Sequence, residues 1–302
     1  MKAVITGGTG LIGRALAADL AADGWDVVVL TRRPEAAGPL PQGVRPVRWD
    51  GRSAQGWGEV VDGATAVVNL AGENISARRW TEAQKRRIRE SRVNAGRAVV
   101  EAIDRAVVKP VVLVQASAVG IYGDRGSEEL DERSAPGEGF LPDVCQDWER
   151  STQEVEAMGV RRAVARMGIV LSLDGGALPR MLLPFRLFVG GPLGDGSQWF
   201  PWIHIQDEVR ALRFLIEHDG ASGVFNLTAP QPVTNRELSR AIGRVMRRPA
   251  LVPTPRLALK LIFGEMAAVL LDSQRVVPRR LLDAGFVFRF PDITTALQDL
   301  LR

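Results

Sequence analysis

Residues 2–13 read KAVITGGTGLIG: a short apolar strand runs into Gly7, Gly8, Gly10 and Gly13, and the last two open a helix. Glycines at this spacing do a defined job. The early ones make a tight turn, Gly10 lets backbone approach a pyrophosphate, and Gly13 lets helix and strand pack closely. The first helical N–H groups and the positive end of the helix dipole then face the anion. A second apolar strand follows at residues 26–30 and ends in Leu30-Thr31-Arg32-Arg33. An acid at that end would accept hydrogen bonds from an adenosine ribose and repel a 2′-phosphate. Asp26 lies at the opposite end of the strand and cannot serve. A hydroxyl and guanidinium groups suit a 2′-phosphate, so Thr31 and Arg32 favour NADP(H) over NAD(H).

Groups able to move a proton are few. The chain holds one tyrosine, Tyr122, and the residue four places on is Gly126. Ser117 is the nearest hydroxyl before it. Glu73 and Asn74 follow an apolar strand at residues 66–70, at the end where polar groups meet ligand in parallel sheets. We take Ser117, Tyr122 and Glu73 as the catalytic candidates. His204 has a suitable ordinary pKa, but it stands between Ile203 and Ile205 just before a helix that Asp207 would cap, where a structural role is expected. Cys145, the one cysteine, reads as a small buried hydrophobe. Trp199, Phe200 and Trp202 either wall a pocket or fill a core. No metal ligand set is seen.

The elements that must position these groups alternate. Strands are expected at residues 2–6, 26–30, 47–49, 66–70, 110–117 and 163–171. Helices are expected at 11–22, 80–105 and 142–158. Continuous apolar strands between helices mean an α/β fold: a Rossmann-type, doubly wound parallel sheet covered on both faces. Residues 1–173 form this NADP-binding domain. Residues 174–302 form a smaller, mostly helical substrate lobe with helices near 177–188, 207–218, 234–247 and 256–271, while 204–228 return to the sheet domain. On the helix at 80–105, Arg92 apart, the basic residues read as a solvated face, and Ala95 and Ala98 as sheet contacts.

Composition bounds the alternatives. The 302 residues are 46% hydrophobic and 25% charged, ordinary for a globular protein. No apolar run is long enough to span a bilayer. The N-terminus enters the glycine turn without a signal-peptide pattern, and one cysteine fits a reducing compartment, so a cytoplasmic location is expected. The net charge is +4. Neither nucleic acid nor a membrane is the expected partner: aromatics do not interleave the basic runs, and no run spans a bilayer. A small-molecule substrate is, and a homodimer is left open.

The runs GGTGLIG, NLAGEN at 69–74, SAVGIYG at 117–123 and WIHIQD at 202–207 resemble the extended short-chain dehydrogenase/reductase superfamily. More narrowly, RRWTEAQKRRIRESR (78–92), CQDWE (145–149), residues 175–207, APQPVTNRE (229–237) and residues 264–291 resemble its atypical "epimerase family" group, related to nucleoside-diphosphate-sugar epimerases. The resemblance covers essentially the whole chain. It implies NADP(H) contacts at Thr9, Gly10, Leu11, Ile12, Thr31, Arg32, Leu70, Ala71, Gly72 and Arg92, and at Ile169 in the stretch 167–169. The superfamily's usual acid/base pair is Tyr-x-x-x-Lys. Members of this group lack it, as this chain does; Cys145 and Glu149 stand at that spacing instead. The implied function is an NADP(H)-dependent oxidoreductase or epimerase of unassigned substrate. The alternative is a non-catalytic NADP(H)-binding sensor or regulator; some relatives carry a cell-division label.

Overall fold

The computed structural model describes residues 1–301. Seven strands form one fully parallel sheet: β1 (Lys2–Thr6), β2 (Asp26–Thr31), β3 (Val44–Arg48), β4 (Ala66–Asn69), β5 (Val112–Ala118), β6 (Arg161–Met167) and, after β7 (Ile169–Leu171) and β8 (Trp202–His204), β9 (Gly223–Leu227). The spatial order is β9-β6-β5-β4-β1-β2-β3, so the direction of winding reverses between β1 and β4. Ligands in open α/β sheets sit in the crevice outside such a switch point. β9 comes from far along the chain and pairs in parallel with β6 at the edge of the sheet.

Alternation along each strand sends successive side chains to opposite faces, and both faces are dry. Ala3, Ile5, Val27, Val29 and Val114 pack under α1 (Leu11–Ala22) and α5 (Ile205–Glu217). Val4, Val28, Val67 and Leu113 pack under α2 (Glu82–Arg105), which presents Ala95, Ala98 and Val99. The small alanines let α2 lie close. Beside α2, α3 (Phe140–Arg150) covers the end of β5. A second core lies between α4 (Leu178–Arg186), α6 (Asn235–Met246) and α8 (Ile293–Leu300), built on Leu182, Phe185, Leu238, Ile242 and Leu297.

Three expected elements are interrupted. The 142–158 helix ends at Arg150 and resumes as a 3-10 turn at Gln153–Met158. The 163–171 strand breaks at Gly168, whose N–H donates to Leu227 O at 2.9 Å. A Cβ there would lie 2.8 Å from Pro201 O, so only glycine lets the chain leave β6 and pair as β7 with β8. The 256–271 helix is cut to α7 (Arg256–Phe263) by Gly264 at φ +60°. Finally, the cap of α5 is His204, not Asp207. The His204 Nδ1 accepts from Gln206 N–H at 3.1 Å. Asp207, fully buried in the first turn, takes the N–H groups of Arg289 and Phe290 at 2.9 and 2.8 Å.

Candidate functional site

The glycine turn is built as a cradle. Gly7 adopts φ +66°, and a Cβ there would strike Leu70 O at 2.7 Å. A Cβ at Gly13 would meet Gly7 O and Gly8 Cα, both at 2.6 Å, so α1 rests directly on the turn. Gly10 differs. Its φ of −79° is ordinary, and a Cβ there would touch only Gly7 O, at 3.2 Å. It faces open space. Gly10 is also the N-cap of α1, with no side-chain acceptor, and Leu11, Ile12 and Gly13 form the first turn. Donor groups with no protein partner at a helix N-terminus are what a pyrophosphate requires. The residues present therefore fit a dinucleotide.

The opposite wall is the segment after β4. Thr6 Oγ1 donates to Asn69 Oδ1 at 2.6 Å and accepts from Ala71 N–H at 3.1 Å. Asn69 Nδ2 donates to Gln115 Oε1 at 2.8 Å. This buried chain spans β1, β4 and β5 and fixes Leu70, Ala71 and Gly72 beside the turn. Thr9 lies half-buried within the turn. Ile169, on β7, donates its N–H to Pro201 O at 2.7 Å.

At the end of β2, Arg32 and Arg33 are exposed, with no ion-pair partner among the described residues. Thr31 sits opposite Arg48 of β3 in the sheet register. Arg48 was not singled out in the sequence. It is exposed and pairs with Glu35 at 2.9 Å, so it adds a cation and an acid to the same edge. The only sequence signal for it was its place at the end of the next strand.

Arg92 reaches back from α2 to the tip of β4. Its Nη1 donates to Glu73 O at 3.1 Å and Ile88 O at 3.0 Å, and the guanidinium lies 4.9 Å from the Trp148 ring centre. Burial pulls its pKa down, opposed by the nearby Cys145 and Glu73. No carboxylate forms an ion pair with it among the described residues. A half-buried cation that no carboxylate pairs with directly is an anion-receptive group. Glu73 lies beside it with N–H bonded to Ser91 Oγ at 2.9 Å and a carboxylate that makes no hydrogen bond or ion pair among the described residues. Cys145 is buried, and burial pushes its thiol up to about 12. It carries no thiolate near neutrality.

Ser117 and Tyr122 are brought together, but by a network the sequence did not reveal. Ser117 Oγ donates to Glu149 Oε1 at 2.7 Å. Arg166 clamps the same carboxylate through Nε at 2.8 Å and Nη2 at 3.0 Å. Its Nη1 donates to Tyr122 OH at 3.1 Å, and that hydroxyl donates to Asn226 Oδ1 at 2.8 Å. Tyr122 is 0% and Ser117 1% exposed. Burial raises the phenol's pKa, with Arg166 opposing. For Arg166, burial acts downward, but Glu149's hydrogen bonds and charge prevail and hold it fully protonated. Both hydroxyls are thus committed to internal partners, whereas the Glu73 carboxylate is not.

His204 is fully buried, stacked on Phe290 at 3.9 Å, with its pKa lowered by burial against the pull of Asp299. That environment matches its structural reading. Trp202 belongs to the lobe core, while Trp199 and Phe200 are half-buried.

A family model described as the NAD dependent epimerase/dehydratase family matches residues 3–140. A domain of unknown function, DUF1731, matches residues 254–300. An epimerase family protein SDR39U1 homologue, chloroplastic, of Arabidopsis thaliana is 40% identical, covering 100% of this chain and 87% of that protein. Epimerase family protein YfhF of Bacillus subtilis is 38% identical, covering 100% and 98%. A crystal structure of human epimerase family protein SDR39U1 (isoform 2) with NADPH superposes with a TM-score of 0.90 at 37% identity, covering 99% of each chain. With whole-length relatives at this identity and a superposition of this quality, this chain belongs to the epimerase family, within the extended short-chain dehydrogenases/reductases.

Proposed function

We propose that this chain binds NADPH and reduces or epimerises a small polar, carbonyl-forming substrate, using Glu73 in place of the missing Tyr-Lys pair. The observation that carries the reading is the cradle itself: Gly10 opens onto space at an uncapped helix N-terminus, opposite a wall of backbone at Leu70, Ala71 and Gly72. That human SDR39U1 was crystallised with NADPH supports the choice of nucleotide. Gly7, Thr9, Gly10, Leu11, Ile12 and Gly13 hold the pyrophosphate. Thr31 and Arg32 take the 2′-phosphate, and Arg92 and Ile169 border the nicotinamide end. Residues 1–173 with 204–228 form the nucleotide domain, and the rest of 174–302 the substrate side.

A bound nicotinamide supplies or accepts hydride. The chain's own residues must bind, orient and move a proton. Arg92, half-buried and without an ion-pair partner among the described residues, binds and orients an anionic or polarised oxygen of the substrate. Glu73, adjacent and unpartnered, holds or takes the proton. Ser117, Glu149, Arg166 and Tyr122 position the end of β5 rather than react. The committed hydroxyls also favour one second reading, a nucleotide-binding sensor without turnover.

Oxidation of NADPH against a panel of sugar nucleotides and small carbonyls tests the proposal. Glu73→Gln should lose turnover about 10²–10⁴-fold with NADPH affinity intact. A rate that survives Glu73→Gln refutes the assignment. Silence of the wild type both in this assay and in a parallel search for epimerised sugar nucleotide with NADP+ added, with tight NADPH binding, selects the sensor reading.

A further inference from the structure

Of the large apolar side chains exposed among the described residues, nine of sixteen fall in two short segments: Leu183, Leu187, Phe188 and Val189 at the end of α4, and Leu251, Val252, Leu257, Leu261 and Ile262 around α7. The two segments are joined. Val252 N–H donates to Gly190 O at 3.1 Å, and Gly194 N–H to Thr254 O at 2.8 Å. The Arg248 guanidinium lies 4.2 Å from the Phe188 ring centre.

The same segments carry charge of one sign. Residues 175–194 contain Arg180 and Arg186, residues 238–264 contain Arg240, Arg244, Arg247, Arg248, Arg256 and Lys260, and neither stretch contains an Asp or Glu. None of these eight cations takes part in an ion pair among the described residues. Four of the arginines, with Ala250 and Leu251, line a cavity of about 290 Å³.

Two features have no use within the fold. α7 buries Leu259 against Ala267 and Leu271, yet leaves Leu257 and Leu261 69% exposed on its outer side. A helix apolar on both sides needs a second cover. Phe188 holds a left-handed backbone at φ +63°, strained for a bulky residue, while 55% exposed.

We propose that this face docks on the surface of an anionic phospholipid bilayer, with the α4 end and α7 inserting apolar side chains and the arginines binding lipid phosphates. Basic residues flanking apolar ones on a short amphipathic surface match that chemistry. A second copy of the chain is disfavoured, because self-pairing would set these arginine clusters against their own like charge. An acidic protein would need pockets for Leu251 and Leu257, which project at 81% and 69% exposure, whereas a fluid bilayer accepts projecting side chains without matched shape. No described helix is long and apolar enough to cross a membrane; docking requires none. Arg79 Nη2 donates to Leu261 O at 2.9 Å, so the docked face adjoins the loop that follows Glu73.

Flotation of the purified full chain with vesicles tests this. The protein should float with vesicles of phosphatidylcholine mixed with phosphatidylglycerol and stay behind with phosphatidylcholine alone. Each basic residue near an anionic surface multiplies partitioning about fivefold, so Arg244→Gln with Arg248→Gln should reduce it about 25-fold. Leu257→Glu with Leu261→Glu should abolish it. All four positions are exposed, so unchanged thermal unfolding checks that the variants fold. Raising salt from about 0.1 M to about 1 M, where screening shortens from about 10 to about 3 Å, should release the protein. Absence of flotation with anionic vesicles, equal flotation with neutral ones, or insensitivity to both variants overturns the proposal. So does a wild-type dimer, by light scattering, that the leucine variants split without any vesicle binding.

Discussion

Adding a methyl group at Gly10 and at Gly13 should have opposite consequences, although the two positions are three residues apart. At Gly10 the backbone is extended, φ −79° and ψ 175°, which any residue adopts. One contact, Gly7 O at 3.2 Å, must yield by a few tenths of an ångström. An alanine N-cap is about 0.5–1 kcal/mol worse than glycine, and reduced freedom of the unfolded chain returns about 0.4–1 kcal/mol. Gly10→Ala should therefore change stability by less than about 1 kcal/mol, and Gly10→Val by little more, since extended backbone suits a β-branched residue. The space it fills is where a pyrophosphate must approach. Losing two charge-assisted hydrogen bonds at about 1.5 kcal/mol each weakens NADPH binding about a hundredfold or more. At Gly13 the new Cβ meets two backbone atoms at 2.6 Å, neither able to rotate away. Overpacking of this kind costs about 1–3 kcal/mol. Gly13→Ala should lower the midpoint of thermal unfolding by several degrees. Calorimetric titration with NADPH and thermal unfolding by circular dichroism read both effects. A folded Gly10→Val protein that retains wild-type affinity would refute the placement of the nucleotide.

Other outcomes follow from buried groups. Asp272 has its carboxyl raised to about 6, first by burial and then by Asp124, with Arg256 opposing. Its folded pKa exceeds the ordinary value of 3.8, so the folded state holds the proton more tightly. Stability falls as pH rises from about 4 to about 6, and the full cost remains above that. Two units amount to about 3 kcal/mol, and partial exposure roughly halves this, so Asp272→Asn should stabilise by ~1–2 kcal/mol near pH 7.5 and not near pH 4. Equal effects at both pH values would show that the gain is not ionisation. Tyr122→Phe leaves Asn226 Oδ1 and Arg166 Nη1 without a partner and should cost about 1–3 kcal/mol, read as a drop in the unfolding midpoint. An unchanged midpoint would mean that the hydroxyl is not holding the network.

The nucleotide half of the fold was legible because its signals are local. Val4 and Ile5, Val27 to Leu30, Val67 and Val68 form continuous apolar runs, the mark of strands buried on both faces, and each glycine of residues 7–13 stands where one turn needs it. What stayed hidden depends on partners distant in sequence. Ser117 faces Arg166 only because β5 and β6 are neighbours in that register. Tyr122 reaches Asn226 across 104 residues. Glu149 looked like a substitute for a lysine four residues after Cys145, but it is the acid of a buried ion pair whose cation, Arg166, follows the apolar run Ala163–Ala165 on a distant strand. Glu208 gave no sign of being fully buried with neither carboxyl oxygen hydrogen-bonded, a burial that raises its pKa well above the ordinary value. The break at Gly168 was invisible for a related reason: the crowding by Pro201 and Thr228 that demands glycine comes from later in the chain.

The central claim is that NADPH lies across the glycine turn with its 2′-phosphate at Thr31 and Arg32. Paired calorimetric titrations of NADPH and NADH into the wild type and Arg32→Ala test it most directly. Arg32 is exposed and without an ion-pair partner among the described residues, so the substitution disturbs no fold contact. A charge-assisted contact to the 2′-phosphate is worth about 1.5–3 kcal/mol, so wild type should prefer NADPH by about 10- to 150-fold. Arg32→Ala should erase most of that preference while leaving NADH affinity unchanged. Equal affinity of the wild type for the two nucleotides, or a preference for NADPH that survives Arg32→Ala, would contradict the account.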